Sequence, residues 1–139
     1  MLVKEIMTKN VVTIEAKKSA YDAAMKYKEC KVGCLVVEED GYCVGILTER
    51  DMIERVLCMH RNPDTTQVHE IMTAPIRTIY ALDNVEKAIQ VMKDHHIKKL
   101  PVISNNAIVG IITITDISNA RSEFTKQFME TWMKPQWQD

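Results

Sequence analysis

The chain has 139 residues, of which 46% are hydrophobic and 27% charged, and its formal net charge is −1. This length suffices for one compact domain with a core and is too short for two ordinary domains. The balanced charge, without a long run of one sign, argues against a broad nucleic-acid interface. The N-terminal sequence lacks a signal-peptide pattern, and no stretch approaches the roughly 20 apolar residues of a membrane span, so we expect a cytoplasmic protein.

An internal repeat organises the chain. Residues 5–54 align with residues 70–119 without a gap, at an offset of 65, and sixteen of the fifty positions are identical. The segment "GILTERD" (45–51) thus returns as "GIITITD" (110–116). Such regularity indicates a duplication. We predict a first repeat over 1–60, a connector over 61–69, a second repeat over 70–120 and an amphipathic C-terminal helix over 121–139.

The two repeats predict the same elements in the same order. An extended piece (11–14, 76–79) precedes a helix with Ser19 or Asn84 as its N-cap, because short polar residues there accept backbone N–H groups. Two apolar strands follow ("CLVVE" and "YCVGILT"; "LPVIS" and "AIVGIIT"), joined by turn residues 40–41 and 105–106. A second helix starts after Thr48 or Thr113. The predicted fold mixes α and β structure in two tandem β-α-β-β-α repeats, packed through their sheets with pseudo-two-fold symmetry.

The repeated Gly-x-x-Thr-x-x-Asp motif has two interpretations. Thr-x-x-Asp at a helix start is a capping-box pattern, and residues 19–22 have the same pattern at another helix. However, both copies also place Gly inside a strand, which often marks close approach by another backbone or by a ligand. A carboxylate at such a corner suits a ribose diol, and Thr hydroxyls with nearby Arg50 or the Lys98–Lys99 pair suit phosphate.

The pattern "IMT…TI…A…LPV…VGIITITD" resembles a cystathionine-β-synthase (CBS) domain. The tandem arrangement over about residues 3–120 resembles a CBS pair, or Bateman module. The resemblance implies an adenosine-type ligand (AMP, ADP or ATP, with S-adenosylmethionine or NAD as alternatives) bound in clefts between the repeats. It also implies association of two modules into a flat homodimer.

The resemblance also implies which residues contact the ligand. The motif acids would hold ribose, and the motif threonines would lie near ribose or phosphate. The implied ligand-binding residues are Thr48, Arg50, Asp51, Thr113, Thr115, Asp116, Thr13, Ile14, Thr78, Ile79, Ile97, Lys98, Lys99 and Pro101. The first repeat departs from the pattern, since Val36 stands in place of Pro101 and Gly33–Cys34 in place of Lys98–Lys99. We therefore favour the Asp116 corner.

The expected function is a stand-alone regulatory module that binds an adenosine compound and signals to a partner protein. We expect no enzyme activity, because no Cys–His or Ser–His pair, H-E-x-x-H motif or Walker loop is recognisable. We also expect no metal, cofactor or disulfide, since the four cysteines form no C-x-x-C pair. A structural docking or dimerisation protein without a ligand is the alternative. Phe124, Phe128 and Trp132 predict an amphipathic tail helix that packs on the domain or docks an effector.

Overall fold

The computed structural model describes residues 1–121, and the predicted tail helix lies outside them. In chain order the elements are α1 (Val3–Ile6), β1 (Thr13–Glu15), α2 (Ala20–Cys30), β2 (Cys34–Glu39), β3 (Tyr42–Thr48), α3 (Glu49–Met52) with a π-helical continuation (Ile53–Leu57), α4 (Val68–Ile71), β4 (Ile79–Tyr80), α5 (Val85–His95), β5 (Lys99–Ser104), β6 (Ala107–Thr113) and α6 (114–121).

The strands form two three-stranded sheets of identical topology. Their orders are β1-β2-β3 and β4-β5-β6, and in each sheet the first pair is parallel and the second antiparallel. The register shifts between Val37 and Glu38 in one sheet and between Val102 and Ile103 in the other, at repeat-equivalent positions. The predicted mixed fold with two β-α-β-β-α repeats is confirmed; the short helices α1 and α4 were not predicted.

The helix caps and the hairpin turns agree with the sequence prediction. The side chain of Ser19 accepts the N–H of Asp22 at 3.0 Å, and that of Asn84 accepts the N–H of Lys87 at 2.9 Å. Each hairpin turns through two residues with positive φ, Asp40–Gly41 (53° and 82°) and Asn105–Asn106 (52° and 63°). Asn, Asp and Gly tolerate this left-handed backbone, and its twist matches that of the flanking strands.

The described chain forms two compact units whose boundaries differ from those of the sequence repeats. The central unit comprises Asn10–Thr78, and the terminal unit comprises Met1–Lys9 together with residues 79–121. The first nine residues, which begin the first repeat in sequence, therefore belong with the second sheet. Residues 61–69, predicted as a connector, belong to the central unit and include the start of α4.

Each unit has its own hydrophobic core between its sheet and its helices. The central core contains buried Ile14, Ala16, Ala20, Ala23, Leu35, Val37, Leu47, Val56, Val68 and Ile71. The terminal core contains buried Val3, Ile79, Ala81, Val85, Ala88, Met92, Leu100, Val102, Ile112 and Ile117. The short helices α1 and α4 are held in these cores by Val3 and by Val68 and Ile71, because burial removes their apolar surface from water. Each helix thus packs in the unit that contains the strands of the other repeat. No helix among residues 1–121 has the length and apolar character needed to cross a bilayer.

The Met-Thr segments, Met7 with Thr8 and Met72 with Thr73, each dock against the last strand of a sheet. In the terminal unit, the N–H of Thr8 donates to the carbonyl of Ile111 (2.8 Å), and the N–H of Ile111 donates back (2.9 Å). Thr73 and Ile46 make the same pair of bonds in the central unit, at 2.8 and 3.0 Å. These are short antiparallel bridges, so each sheet gains a partial fourth strand.

The strand glycines of the repeated motif make room for the Met-Thr segments. A Cβ built on Gly110 would lie 2.6 Å from Met7 Sδ and 2.9 Å from the carbonyl oxygen of Thr8. A Cβ on Gly45 would meet the equivalent atoms of Met72 and Thr73 at 2.5 and 3.0 Å. The close approach predicted for these glycines is therefore explained by another backbone within the same unit.

Gly110→Ala is expected to destabilise the protein by about 1–3 kcal/mol, because the added methyl forces the Met-Thr segment away from β6. The free energy of unfolding in urea measures this loss. Ala107→Ser, at an exposed position of the same strand, is the control and should change stability by less than about 0.5 kcal/mol. Equal stability of Gly110→Ala and wild type would contradict the packing role of this glycine.

Candidate functional site

The central corner is the junction of β3 and α3, where Thr48 and Asp51 form a reciprocal capping box. The Thr48 hydroxyl accepts the N–H of Asp51 at 3.1 Å, and the Asp51 carboxylate accepts the N–H of Thr48 at 3.0 Å. Both bonds satisfy backbone donors that the first helical turn leaves without partners. The capping interpretation of the motif is thus correct for this corner.

Two further side chains engage the central carboxylate. The hydroxyl of Thr73 lies 3.3 Å from each oxygen of Asp51. Arg55 Nη1 lies 3.8 Å from Asp51 Oδ1 and also donates to the carbonyls of Ile71 (3.1 Å) and Met72 (2.9 Å). Asp51 is only 7% exposed. A buried carboxylate needs such partners, because its desolvation is otherwise costly.

The terminal corner, at the junction of β6 and α6, repeats the capping box with fewer partners. The hydroxyl of Thr113 accepts the N–H of Asp116 at 3.1 Å, and Asp116 accepts the N–H of Thr113 at 2.9 Å. Thr8 donates its hydroxyl to Asp116 Oδ1 at 3.1 Å. Ala120 occupies the position equivalent to Arg55, and within residues 1–121 no cation forms an ion pair with Asp116. This carboxylate is half-buried.

The cations beside the two corners also differ. Arg50 is exposed and donates through Nε to Glu54 at 2.8 Å, and this hydrogen bond raises the pKa of Arg50. Thr115, its equivalent, is exposed. At the terminal corner, Lys99 is half-buried and lies opposite Thr113 in the β5–β6 pairing, and the carbonyl of Lys98 accepts the N–H of Ile114.

The remaining predicted residues lie along the first strands and at the start of β5. Ile14 and Ile79 are buried in the cores of their units, and Pro101 is buried opposite Ile111 in β5. Thr13 is half-buried in β1, Thr78 is exposed just before β4, and Ile97 is half-buried against the terminal core. The side chains of Ile14 and Ile79 therefore serve packing.

A groove of about 400 Å³ lies beside β1 in the central unit, away from Asp51. Thr13, Ile14 and Met25 line it together with charged residues of both signs, Glu15, Lys18, Asp22, Lys26 and Glu29. Lys26 donates its ammonium to the carbonyl of Thr13 across this groove. Asp51 is not part of the lining, so the groove is separate from the central corner.

Tyr27 supports the central corner from behind. Its hydroxyl donates to the carbonyl of Leu47, the residue before Thr48, at 2.6 Å. Burial raises the pKa of Tyr27 above its ordinary value, and the nearby charges of Cys34, Asp51 and Glu49 raise it further. Met92 occupies the equivalent position in the terminal unit, so that unit lacks this hydrogen bond.

Three residues that contact the motif acids were not among the predicted site residues. Thr8 and Thr73 belong to the repeated "IMT", and their identity in both repeats was the available signal. Arg55 follows Asp51 by four residues, a spacing that places two side chains on one helical face.

No group of three or more His, Cys, Asp or Glu side chains in residues 1–121 is arranged to hold a metal ion. Cys30 and Cys58 are exposed, Cys43 is half-buried and Cys34 is buried. Burial raises the pKa of the Cys43 thiol.

Comparison with known proteins establishes the family. The model of the CBS domain matches residues 3–58 and again residues 68–123. The chain belongs to the CBS domain family. Its two CBS domains stand in tandem, as the internal repeat predicted, and the two matches together span most of the chain.

Several known proteins are similar over most of this chain. The CBS domain-containing protein YhcV of Bacillus subtilis is 33% identical over 84% of this chain and 82% of its own length. The uncharacterized protein MK0525 of Methanopyrus kandleri is 33% identical over 83% of this chain, which spans only 60% of that relative's length. A solved structure, the CBS domain pair of protein MJ0100 in complex with 5′-methylthioadenosine and S-adenosyl-L-methionine, is 28% identical with a TM-score of 0.77. It covers 89% of this chain, and the match includes 98% of the MJ0100 chain.

The two Met-Thr threonines are expected to contribute unequally to stability. Thr73→Val removes a donor from a buried carboxylate and should cost about 1.5 kcal/mol, the lower end for hydrogen bonds to charged groups. Thr8→Val is the matched variant in the terminal unit and should cost about 0.5 kcal/mol, because Asp116 is more accessible to water. Urea unfolding of both variants measures the difference, and equal losses would contradict it.

Tyr27→Phe should cost about 1 kcal/mol at pH 7 through the lost hydrogen bond. Because the folded state raises the Tyr27 pKa above its ordinary value of 10.0, its contribution is present below pH 10 and is lost as pH rises. The stability gap between wild type and Tyr27→Phe should therefore narrow between pH 7 and pH 10.5 in urea titrations. Tyr21→Phe, at an exposed position of the same helix, should have the same stability as wild type at either pH. A stability difference between wild type and Tyr27→Phe that does not change with pH would refute the raised pKa of Tyr27.

Proposed function

We propose that this CBS pair is a regulatory module, without catalysis of its own, that binds an adenosine-containing ligand of the AMP, ADP or ATP class. The Asp116 corner carries the proposal. Its carboxylate is half-buried and accepts two hydrogen bonds, from Thr113 N–H and the Thr8 hydroxyl. A carboxylate offers roughly four acceptor positions, so acceptors remain for the two hydroxyls of a ribose.

The charge distribution supports a nucleotide at this corner. Lys99 begins β5 opposite Thr113, and Lys98 precedes it with its carbonyl bonded to the N–H of Ile114, so both lysines can approach an anionic group at this corner. The complex of the related MJ0100 pair with two adenosine compounds supports the adenosine moiety. S-adenosylmethionine and NAD, which also carry adenosine, are the alternative ligands.

Regulation requires that the ligand distinguish two arrangements of the protein. A ligand shifts an equilibrium only by its difference in affinity for the two states. We propose that the arrangement concerned is a homodimer of CBS pairs, and that a partner protein recognises the ligand-bound form.

A structural role without any ligand is the second candidate. The observation in its favour is that both motif acids form complete capping boxes and that Asp51 is buried. In this case the motif would matter for stability alone. Ligand binding therefore decides between the two functions.

A melting-temperature screen with AMP, ADP, ATP, S-adenosylmethionine and NAD tests the proposal. We expect at least one compound to raise the midpoint, since binding to the folded state stabilises it by about 2.7 kcal/mol at 100 times Kd. Asp116→Asn should abolish this shift while retaining an acceptor for the capping bond.

Asp22→Asn is the control, because Ser19 and Asp22 form the same capping box at α2, outside the repeated Gly-x-x-Thr-x-x-Asp motif. This variant should keep the full ligand-induced shift. No shift with any of the five compounds at millimolar concentration would establish the structural candidate instead.

A further inference from the structure

The Asp51 carboxylate is already occupied by its own chain. Arg55 Nη1 faces Oδ1 at 3.8 Å, and the same nitrogen donates to the carbonyls of Ile71 and Met72. These two hydrogen bonds hold the guanidinium next to the Asp51 carboxylate. Oδ2 accepts the N–H of Thr48, and the hydroxyl of Thr73 contacts both oxygens. Few acceptor positions remain on a side chain that is 7% exposed.

The terminal corner lacks this internal cation. At the position of Arg55 it has Ala120, which cannot reach a carboxylate. Asp116 therefore keeps its charge and part of its acceptor capacity available, although its capping box has nearly the same dimensions as that of Asp51. The two capping boxes thus agree in dimensions, but only the central box is followed by an arginine four residues after its acid.

The cations follow the same asymmetry. At the central corner Arg50 is paired with Glu54, and the strand start has Gly33 and buried Cys34 instead of lysines. At the terminal corner Lys98 and Lys99 form no ion pair with any described residue of 1–121. Among residues 1–121, the terminal corner thus combines a half-buried carboxylate with lysines that form no ion pair, and the central corner does not.

We propose, on the basis of the proposed function, that each chain binds one phosphate-bearing adenosine ligand at the Asp116 corner, and that Arg55 excludes a second from the Asp51 corner. The remaining acceptor positions of the Asp116 carboxylate bind the ribose hydroxyls, and Lys98 and Lys99 attract the phosphate. An internal arginine takes the place of the ligand in the central unit. The pair therefore has one sensing corner and one structural corner.

Isothermal titration of the full chain with AMP, and with 5′-methylthioadenosine as a phosphate-free comparator, tests this assignment. We expect one equivalent of AMP per chain and at least tenfold weaker binding of 5′-methylthioadenosine. Asp116→Asn should weaken AMP at least tenfold, whereas the matched Asp51→Asn should change its affinity less than twofold. Lys98→Ala/Lys99→Ala should remove the preference for AMP over 5′-methylthioadenosine.

Ala120→Arg transplants the arginine of the central unit and should weaken AMP at least tenfold. Circular dichroism and the melting midpoint of the free protein test whether each variant folds. If Ala120→Arg does not fold, the AMP affinities of Asp51→Asn and Asp116→Asn decide the assignment. Two equivalents of AMP, or equal losses in these two variants, would overturn the single-corner assignment and leave the proposed function intact. Binding of 5′-methylthioadenosine as tight as that of AMP would overturn the phosphate requirement. Absence of binding by both compounds, together with no shift in the five-compound screen, would overturn both proposals.

Discussion

The docking of a Met-Thr segment onto the last strand of each sheet is the constraint on which both units depend. It requires a glycine on the strand, because a Cβ at Gly45 or Gly110 would overlap the methionine sulfur of the segment and crowd the threonine carbonyl. It also places a threonine hydroxyl on the motif carboxylate, so that one acid links strand, helix and segment. The repeated Gly-x-x-Thr-x-x-Asp motif therefore joins the Met-Thr segment to the strand and helix of each corner.

Much of the fold could be predicted because its determinants are local. Cap residues, the two-residue turns and the apolar strands are read from a few neighbouring side chains, and Ser19 and the turn at Asn105–Asn106 are examples. The docking of each Met-Thr segment on the sheet of the other repeat could not be predicted in this way. The repeat aligns Thr8 with Thr73 but does not reveal that Thr8 contacts Asp116 instead of Asp51, because that choice depends on packing across the whole chain.

The candidate site was predicted in part for a related reason. The residue types at the corners, the lysines of the second repeat and the inequality of the repeats were visible in the sequence. The burial of Asp51 and the position of the Arg55 guanidinium were not, since they arise from α4 and its carbonyls. Capping and ligand binding do not exclude each other, because an acid that caps a helix can still offer its remaining lone pairs to a ligand.

The terminal unit is built from two separate parts of the chain, so its parts become available at different times during synthesis. Residues 10–78 are contiguous, so the central unit has all of its parts once they have left the ribosome. The first nine residues are synthesised before any of their partners and must wait until the second sheet emerges. A fragment that ends near residue 78 should therefore contain a complete central unit, preceded by nine residues whose sheet is missing. A chain divided at the repeat boundary would separate each Met-Thr segment from the sheet on which it docks.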